Sequence, residues 1–223
     1  MRARDVMSTE VLSIAAEATV REAAQLLVNM RVSAMPVLDS KGFMIGIVSE
    51  ADLIRNTGAV APLEQVDEAY AERAMRKAHA RSVTNVMSRS VVCAAEDSTL
   101  QEISDLMLGR GIKRIPIVRD GAVVGIVSRI DLLRALLTLG REAFLQERPG
   151  ARRADQELRD AVIAALDRHD WSQALRSDVV ASRGTIHLWG LVASDALRKT
   201  YIRVAEGVTG VGSVQSHMHV ANR

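Results

Sequence analysis

Two stretches of this chain spell one pattern about eighty residues apart, and a chain that repeats itself must fold into units that match. The first copy reads V-M-S-T-E-V from Val6, then R-V-S-A-M-P-V-L-D, then G-F-M-I-G-I-V-S-E-A-D-L-I-R to Arg55. The second reads V-M-S-R-S-V from Val86, then G-I-K-R-I-P-I-V, then G-A-V-V-G-I-V-S-R-I-D-L-L-R to Arg134. Met7 pairs with Met87, Thr19 with Thr99, Glu22 with Glu102 and Pro36 with Pro116, each 80 positions on. One residue is lost in a turn, so Gly46 and Gly125, Ser49 and Ser128, and Asp52 and Asp131 stand 79 apart. Two copies are too few for a solenoid. They point to two small units that bury their open faces against each other.

Each copy has a readable order. Val11, Leu12 and Ile14 suggest a short extended segment. Thr19-Val20-Arg21-Glu22 and Thr99-Leu100-Gln101-Glu102 then have capping-box spacing, in which a threonine oxygen and a glutamate each satisfy a free N–H at a helix start. Behind the caps, Val20, Ala23, Ala24 and Leu27, and Leu100, Ile103 and Met107, fall three and four apart, as on one face of a helix. Gly111 is placed to end the second of these helices in a left-handed conformation. M-P-V-L and F-M-I-G-I-V around D-S-K-G, and I-P-I-V and A-V-V-G-I-V around R-D-G, read as paired strands. A further helix starts after Ser49 and after Ser128. Each unit is therefore β-α-β-β-α and about fifty residues long, a size that is marginal alone.

Composition narrows the function. Of 223 residues 48% are hydrophobic, enough for real cores, yet no apolar run reaches the length of a membrane span. The start shows no signal-peptide pattern. The single cysteine, Cys93, excludes an internal disulfide and fits a reducing, cytoplasmic setting; a small apolar role suits it better than a catalytic thiol. A net charge of +2 and 3% aromatics leave neither an electrostatic footprint nor stacking platforms for nucleic acid. The sequence contains no G-x-S-x-G, P-loop, H-E-x-x-H or C-x-x-C, so no catalytic constellation emerges.

Between the copies, Pro62 followed by Leu63, Val66 and Tyr70 suggests a surface helix in an insert. Pro149-Gly150 amid clustered charge is the best linker. Beyond it the pattern changes. Leu158, Val162 and Leu166 mark a helix, two strands flank Gly184 with Ile186, Leu188 and Val192 on one face, Ala196 to Glu206 forms a helix, and V-G-S-V-Q-S-H-M-H-V a last strand. His187 and Trp189 fall on the opposite face, free to meet lipid, a partner or the rest of the chain. His217 and His219 share a face and suit a metal, but with no further ligand beside them polar structural roles are the better reading.

The doubled V-M-S, P-V-hydrophobic and G-I-V-S-x-x-D-L pattern resembles a tandem pair of CBS domains, the cystathionine-β-synthase type of regulatory module, over about residues 1–140. The resemblance implies an α+β fold, with two β-α-β-β-α units packed as a pseudo-symmetric disc, and two clefts that take AMP, ADP, ATP or S-adenosylmethionine. It also implies dimerisation of discs. It places a carboxylate on the ribose hydroxyls and a nearby serine at the phosphate. Carried over residue by residue, one cleft has Asp52 and Ser49 facing Cys93, Ala94, Ile112, Lys113 and Arg114. The other has Asp131 and Ser128 facing Ser13, Ile14, Val32, Ser33 and Ala34. Lys113 and Arg114 are suited to neutralise phosphate or, equally, to be solvated charge.

The residues themselves leave two readings of these pairs. A helix that begins after a strand at serine offers free N–H groups to an anion, and the following carboxylate can accept a ribose diol. The same Ser-x-x-Asp spacing also makes a cap that serves only its own helix.

The last segment, about residues 152–221, resembles the BON domain of bacterial envelope and regulatory proteins, through G-T-I-H-L-W-G-L-V-A-S and G-V-T-G-V-G-S-V in an α-β-β-α-β order. Phospholipid binding is implied by that family alone, since the segment's charge is nearly balanced and forms no polybasic patch. The expected layout is one CBS unit at 1–58, a helical insert at 59–82, a second unit at 83–140, a linker at 141–152 and the BON domain at 153–223. The expected function is a non-enzymatic regulator without a catalytic cofactor or metal. It binds an adenosyl ligand, pairs as a homodimer, and meets an unknown protein or phospholipid through the BON domain. The alternative is a scaffolding, phospholipid-associated protein with empty clefts. An enzyme of unrecognised type is the remaining option.

Overall fold

Both repeat helices start where their threonines place them. Thr19 Oγ1 accepts from Glu22 N and Glu22 Oε2 accepts from Thr19 N at 2.7 Å; Thr99 and Glu102 repeat the arrangement at 2.8 Å. The computed structural model describes residues 1–56, 81–145, 151–169 and 177–221. In the first repeat a 3₁₀ turn at Ala3–Asp5 precedes β1 (Ile14–Ala15), α1 (Val20–Asn29), β2 (Ala34–Leu38), β3 (Met44–Ser49) and α2 (Glu50–Asn56). In the second, a turn at Val83–Asn85 precedes β4 (Ala94–Ala95), α3 (Leu100–Gly109), β5 (Arg114–Arg119), β6 (Ala122–Ser128) and α4 (Arg129–Leu145). Each repeat forms a three-stranded sheet, ordered β1-β2-β3 and β4-β5-β6. In the first, β1 is parallel and β3 antiparallel to β2, with Ile14 opposite Val37 and Ala34 opposite Ser49.

The expected apolar faces are the buried ones. Val20, Ala23 and Leu27 of α1 pack with Met35, Val37 and Val48 of the sheet. Leu100, Ile103 and Met107 of α3 are likewise buried. Gly111 ends its helix at φ +65°, as expected. The same position in the first repeat is Arg31, also left-handed at φ +50°.

The C-terminal part has the α-β-β-α-β order: α5 (Ala151–Asp167), β7 (Ser177–Ser182), β8 (Thr185–Val192), α6 (Asp195–Glu206) and β9 (Ser213–Val220). The strands form one sheet in that order, β7 antiparallel and β9 parallel to β8. Leu158, Val162 and Leu166 of α5 and Tyr201 and Ala205 of α6 meet Val179, Ile186, Leu188 and Met218 in one core.

The chain divides into two compact units that do not follow the repeat boundaries. One comprises Met1–Ser8, Ala94–Ile117 and Ile126–Arg223; the other comprises Thr9–Cys93 and Val118–Gly125. The helix expected in the insert at 59–82 falls on residues 57–80, outside the described ones. Of the expected linker at 141–152, α4 takes up the start and α5 the end, and 146–150 lie outside the described residues.

Candidate functional site

Ser49 closes β3 and α2 begins at the next residue, so Asp52 stands at the third helical position, able to reach back. Asp52 Oδ2 accepts from Ser49 N at 2.9 Å and from Ser49 Oγ at 2.5 Å, and Asp52 N donates to Ser49 Oγ at 3.3 Å. The capping reading is thus realised in full. It uses one carboxylate oxygen. The other, Oδ1, receives only a long 3.5 Å bond from Ser88 Oγ among the described residues. Two N–H groups at this helix start are engaged as well: Glu50 N donates to Ser33 O at 3.0 Å and Asp52 N to Ser49 Oγ.

The same contacts settle which predicted residues meet within this unit. Ser33 and Ala34 lie beside Ser49, through the Glu50 bond and the Ala34–Ser49 register. Val32 and Ile14 are core residues, Ser13 is half-buried, and Cys93 is half-buried, with burial pushing its thiol up.

Asp131 begins the same way. Its Oδ2 accepts from Ser128 N at 2.7 Å and Ser128 Oγ at 2.6 Å. Arg129 N donates to Lys113 O at 3.0 Å, placing Lys113, an exposed side chain, next to this helix start. Arg114 follows on β5, half-buried, as is Ile112, while Ala94 is buried. Then the resemblance to Asp52 stops. Asp131 is only 5% exposed, and its Oδ1 accepts from Arg134 Nη1 at 2.9 Å. Arg134 Nη1 also bonds Asp178 Oδ2 on β7, and Ser8 Oγ donates to Asp178 Oδ1 at 3.1 Å. Burial first, and the negative charge of Asp178 after it, raise the Asp131 carboxyl above its ordinary value, against the pull of Ser128 and Arg134.

Sequence reasoning did not single out Arg134, Asp178 or Arg159. Arg159 on α5 is 4% exposed and donates to Val179 O at 2.8 Å, Met7 O at 2.5 Å and Arg4 O at 3.3 Å. The D-L-x-R ending common to both repeats was the available signal for Arg134. Asp178 carried none, because its partner is fixed by tertiary packing.

On β8 and β9, His187 Nδ1 and His217 Nε2 share a 3.2 Å hydrogen bond, and the Trp189 ring stacks on His217 at 4.0 Å. Burial lowers both histidines below the usual imidazole value, and the neighbouring ring lowers His187 further. Among the described residues no group of three or more metal-ligating side chains occurs, and no helix is long and apolar enough to cross a membrane.

Comparison with known proteins agrees with this geometry. The CBS domain family model matches residues 3–58 and 83–138, and the BON domain model matches residues 154–222. The chain is 30% identical to the CBS domain-containing protein YhcV of Bacillus subtilis, over 58% of this chain and 81% of that one. It spans 29% of the inosine-5'-monophosphate dehydrogenase of Methanocaldococcus jannaschii, so that relative shares a fraction of its length. Among solved structures, CBSX2 of Arabidopsis thaliana in complex with AMP matches with a TM-score of 0.51 and 25% identity, covering 63% of this chain and 98% of that one. The CBS domain pair of MJ0100, in complex with 5-methylthioadenosine and S-adenosyl-L-methionine, has the same fold, with a TM-score of 0.50 at 22% identity over 62% of this chain and 97% of that one.

Proposed function

This chain belongs to the CBS-domain family and carries a C-terminal BON domain, and from that premise we propose that it is a cytoplasmic, non-enzymatic regulator whose CBS repeats bind an adenosyl ligand. The observation that carries the reading is Asp52. Capping occupies one of its oxygens and leaves the other, in a half-buried setting, for a ribose diol. The complex of CBSX2 with AMP supports the choice of an adenine nucleotide, and S-adenosylmethionine is the second candidate. The remaining binding residues follow the family assignment given above, with Lys113 and Arg114 as the phosphate-neutralising pair. For the BON domain, the same reading holds engagement of a partner surface, protein or phospholipid.

Calorimetry tests the assignment. A ligand at about a hundred times its dissociation constant stabilises the folded state by about 2.7 kcal/mol, a melting shift of about 5–10 °C at roughly 2–4 °C per kcal/mol. Asp52→Ala is expected to remove the part of this increment that separates AMP and ATP from adenosine, and Asp131→Ala to leave that part in place. Each variant also loses a cap, at about 1 kcal/mol, so the increment is the readout and not the melting point. An unchanged nucleotide increment in Asp52→Ala reduces that aspartate to a cap. No increment with any adenosyl ligand leaves the scaffolding reading in its place.

The reading includes a homodimer. Val28 on α1 is 75% exposed, and Met30 just after α1 and Ile54 on α2 are exposed too; Leu108 at 70% on α3 and Leu137 at 73%, Ile130 and Leu133 on α4 are likewise exposed. Apolar side chains so placed suit self-complementary pairing. Light scattering is expected to give twice the chain mass at micromolar concentration. A monomer mass throughout, with and without AMP, removes the dimer.

A further inference from the structure

The repeats act as internal controls for each other at their aspartates. Arg55 and Arg134 stand three residues after them, and Ser88 and Ser8 occupy matching places opposite Ile47 and Ile126. In the first case Ser88 Oγ turns to Asp52 Oδ1, and Arg55 turns back to Ala51 O at 3.2 Å. In the second, Ser8 and Arg134 both turn to Asp178, and Arg134 bridges it to Asp131. The repeat residues are the same, so the difference comes from Asp178, which the C-terminal domain supplies on β7. That domain is seated in the same compact unit: α4 packs against β7, α5 packs against the turn at Ala3–Asp5, and Arg159 ties α5 and β7 to the carbonyls of Arg4 and Met7.

We propose that the C-terminal domain is a ligand-sensitive cover for Asp131, its docking and adenosyl binding at Asp131 each opposing the other. The inference rests on the reading of Asp131 as a ribose acceptor. A diol needs the Oδ1 that Arg134 now holds. Once Arg134 leaves, Asp178 loses its cation and faces a second carboxylate without neutralisation, which weakens the seat of β7. Linkage makes the effect reciprocal: whatever loosens the domain tightens the ligand by the same factor. The Asp52 site, which has no such clamp, stays open in the docked state. The protein then reads two conditions, ligand at Asp52 and release of the C-terminal domain at Asp131.

The test is titration of AMP into the full-length protein in an Asp52→Ala background, with and without Asp178→Asn, an isosteric change outside the ribose-binding residues. Removing the clamp is expected to raise affinity by roughly 5–150-fold, the usual range of coupling between sites. Ser8→Ala, which loses one bond to Asp178, is expected to shift affinity the same way by less. Reciprocally, saturating AMP is expected to speed hydrogen exchange at residues 4–8 and 177–180. Equal or weaker AMP binding in the Asp178→Asn protein overturns the cover while leaving the ribose reading intact. Absence of AMP binding in wild type and every variant overturns both.

Discussion

Replacing Arg159 with methionine is expected to cost about 3–5 kcal/mol of stability, the sum over buried backbone carbonyls that lose a charged donor less the relief of burying that charge. The side chain is buried and its three donors go to backbone carbonyls, those of Arg4, Met7 and Val179. Methionine fills the volume of the stem and leaves those carbonyls without their donor, at roughly 1–3 kcal/mol for each that stays buried. Part of that loss is offset, because burial disfavours the guanidinium charge itself and lowers its pKa despite Asp160, Asp5, Asp178 and Asp131 nearby. The net therefore falls below the sum of three bonds. Urea unfolding of the full chain measures it. Arg159→Lys keeps the charge but cannot span three carbonyls, so an intermediate loss is expected. A loss under about 1 kcal/mol for methionine would show that the three bonds have solvent substitutes.

Tyr201→Ala is expected to cost a similar amount, about 3–5 kcal/mol, by a different mechanism. Tyr201 is 1% exposed and is the largest fully buried side chain of the described residues. It lies on α6 between the helix α5 row of Leu158, Val162 and Leu166 and the sheet residues Ile186 and Leu188. Truncation opens a cavity that two helices and a sheet cannot close together. Against the roughly 5–15 kcal/mol that holds a typical domain, this loss is large. Thermal unfolding followed by circular dichroism is expected to show an early C-terminal transition. A loss under about 1.5 kcal/mol would place the core's support elsewhere.

The contrast between these two residues explains what the sequence made legible. Tyr201 packs among residues that belong to a pattern: apolar positions at helical and strand spacing name their own burial, and Leu158, Val162, Leu166, Ile186 and Leu188 all proved to be core. The capping boxes at Thr19 and Thr99 were legible for the same reason, since donor and acceptor lie within one turn. The left-handed residue after α3 was visible because it is Gly111. Its counterpart after α1 was not, because the identical backbone is carried by Arg31, which accepts a cost that glycine avoids. At Asp52 and Asp131 the same spacing allowed two readings, and the structure realises the cap at both: the second oxygen of Asp52 keeps only a long bond from Ser88, while that of Asp131 is taken by Arg134. Arg159 and Asp178 stayed illegible because their partners lie far along the chain and are chosen by docking.

The exchange of segments between the compact units bears on how the chain is made. Met1–Ser8 belongs with residues of the second repeat: Ala3 N donates to Ser98 O, Leu100 N to Met1 O, and Ser8 pairs with Ile126 in both directions. At roughly 5–20 residues per second on the ribosome, the about 120 residues between Ser8 and Ile126 take roughly 6–24 s to appear. Through that interval Ala3, Val6 and Met7, all buried in the finished protein, have no place to go. Residues 1–8 thus wait for partners far along the chain, and contacts so distant in sequence slow folding. Until residues 94–126 have emerged, the apolar side chains of Ala3, Val6 and Met7 stay exposed on the nascent chain, a segment of the kind that chaperones capture.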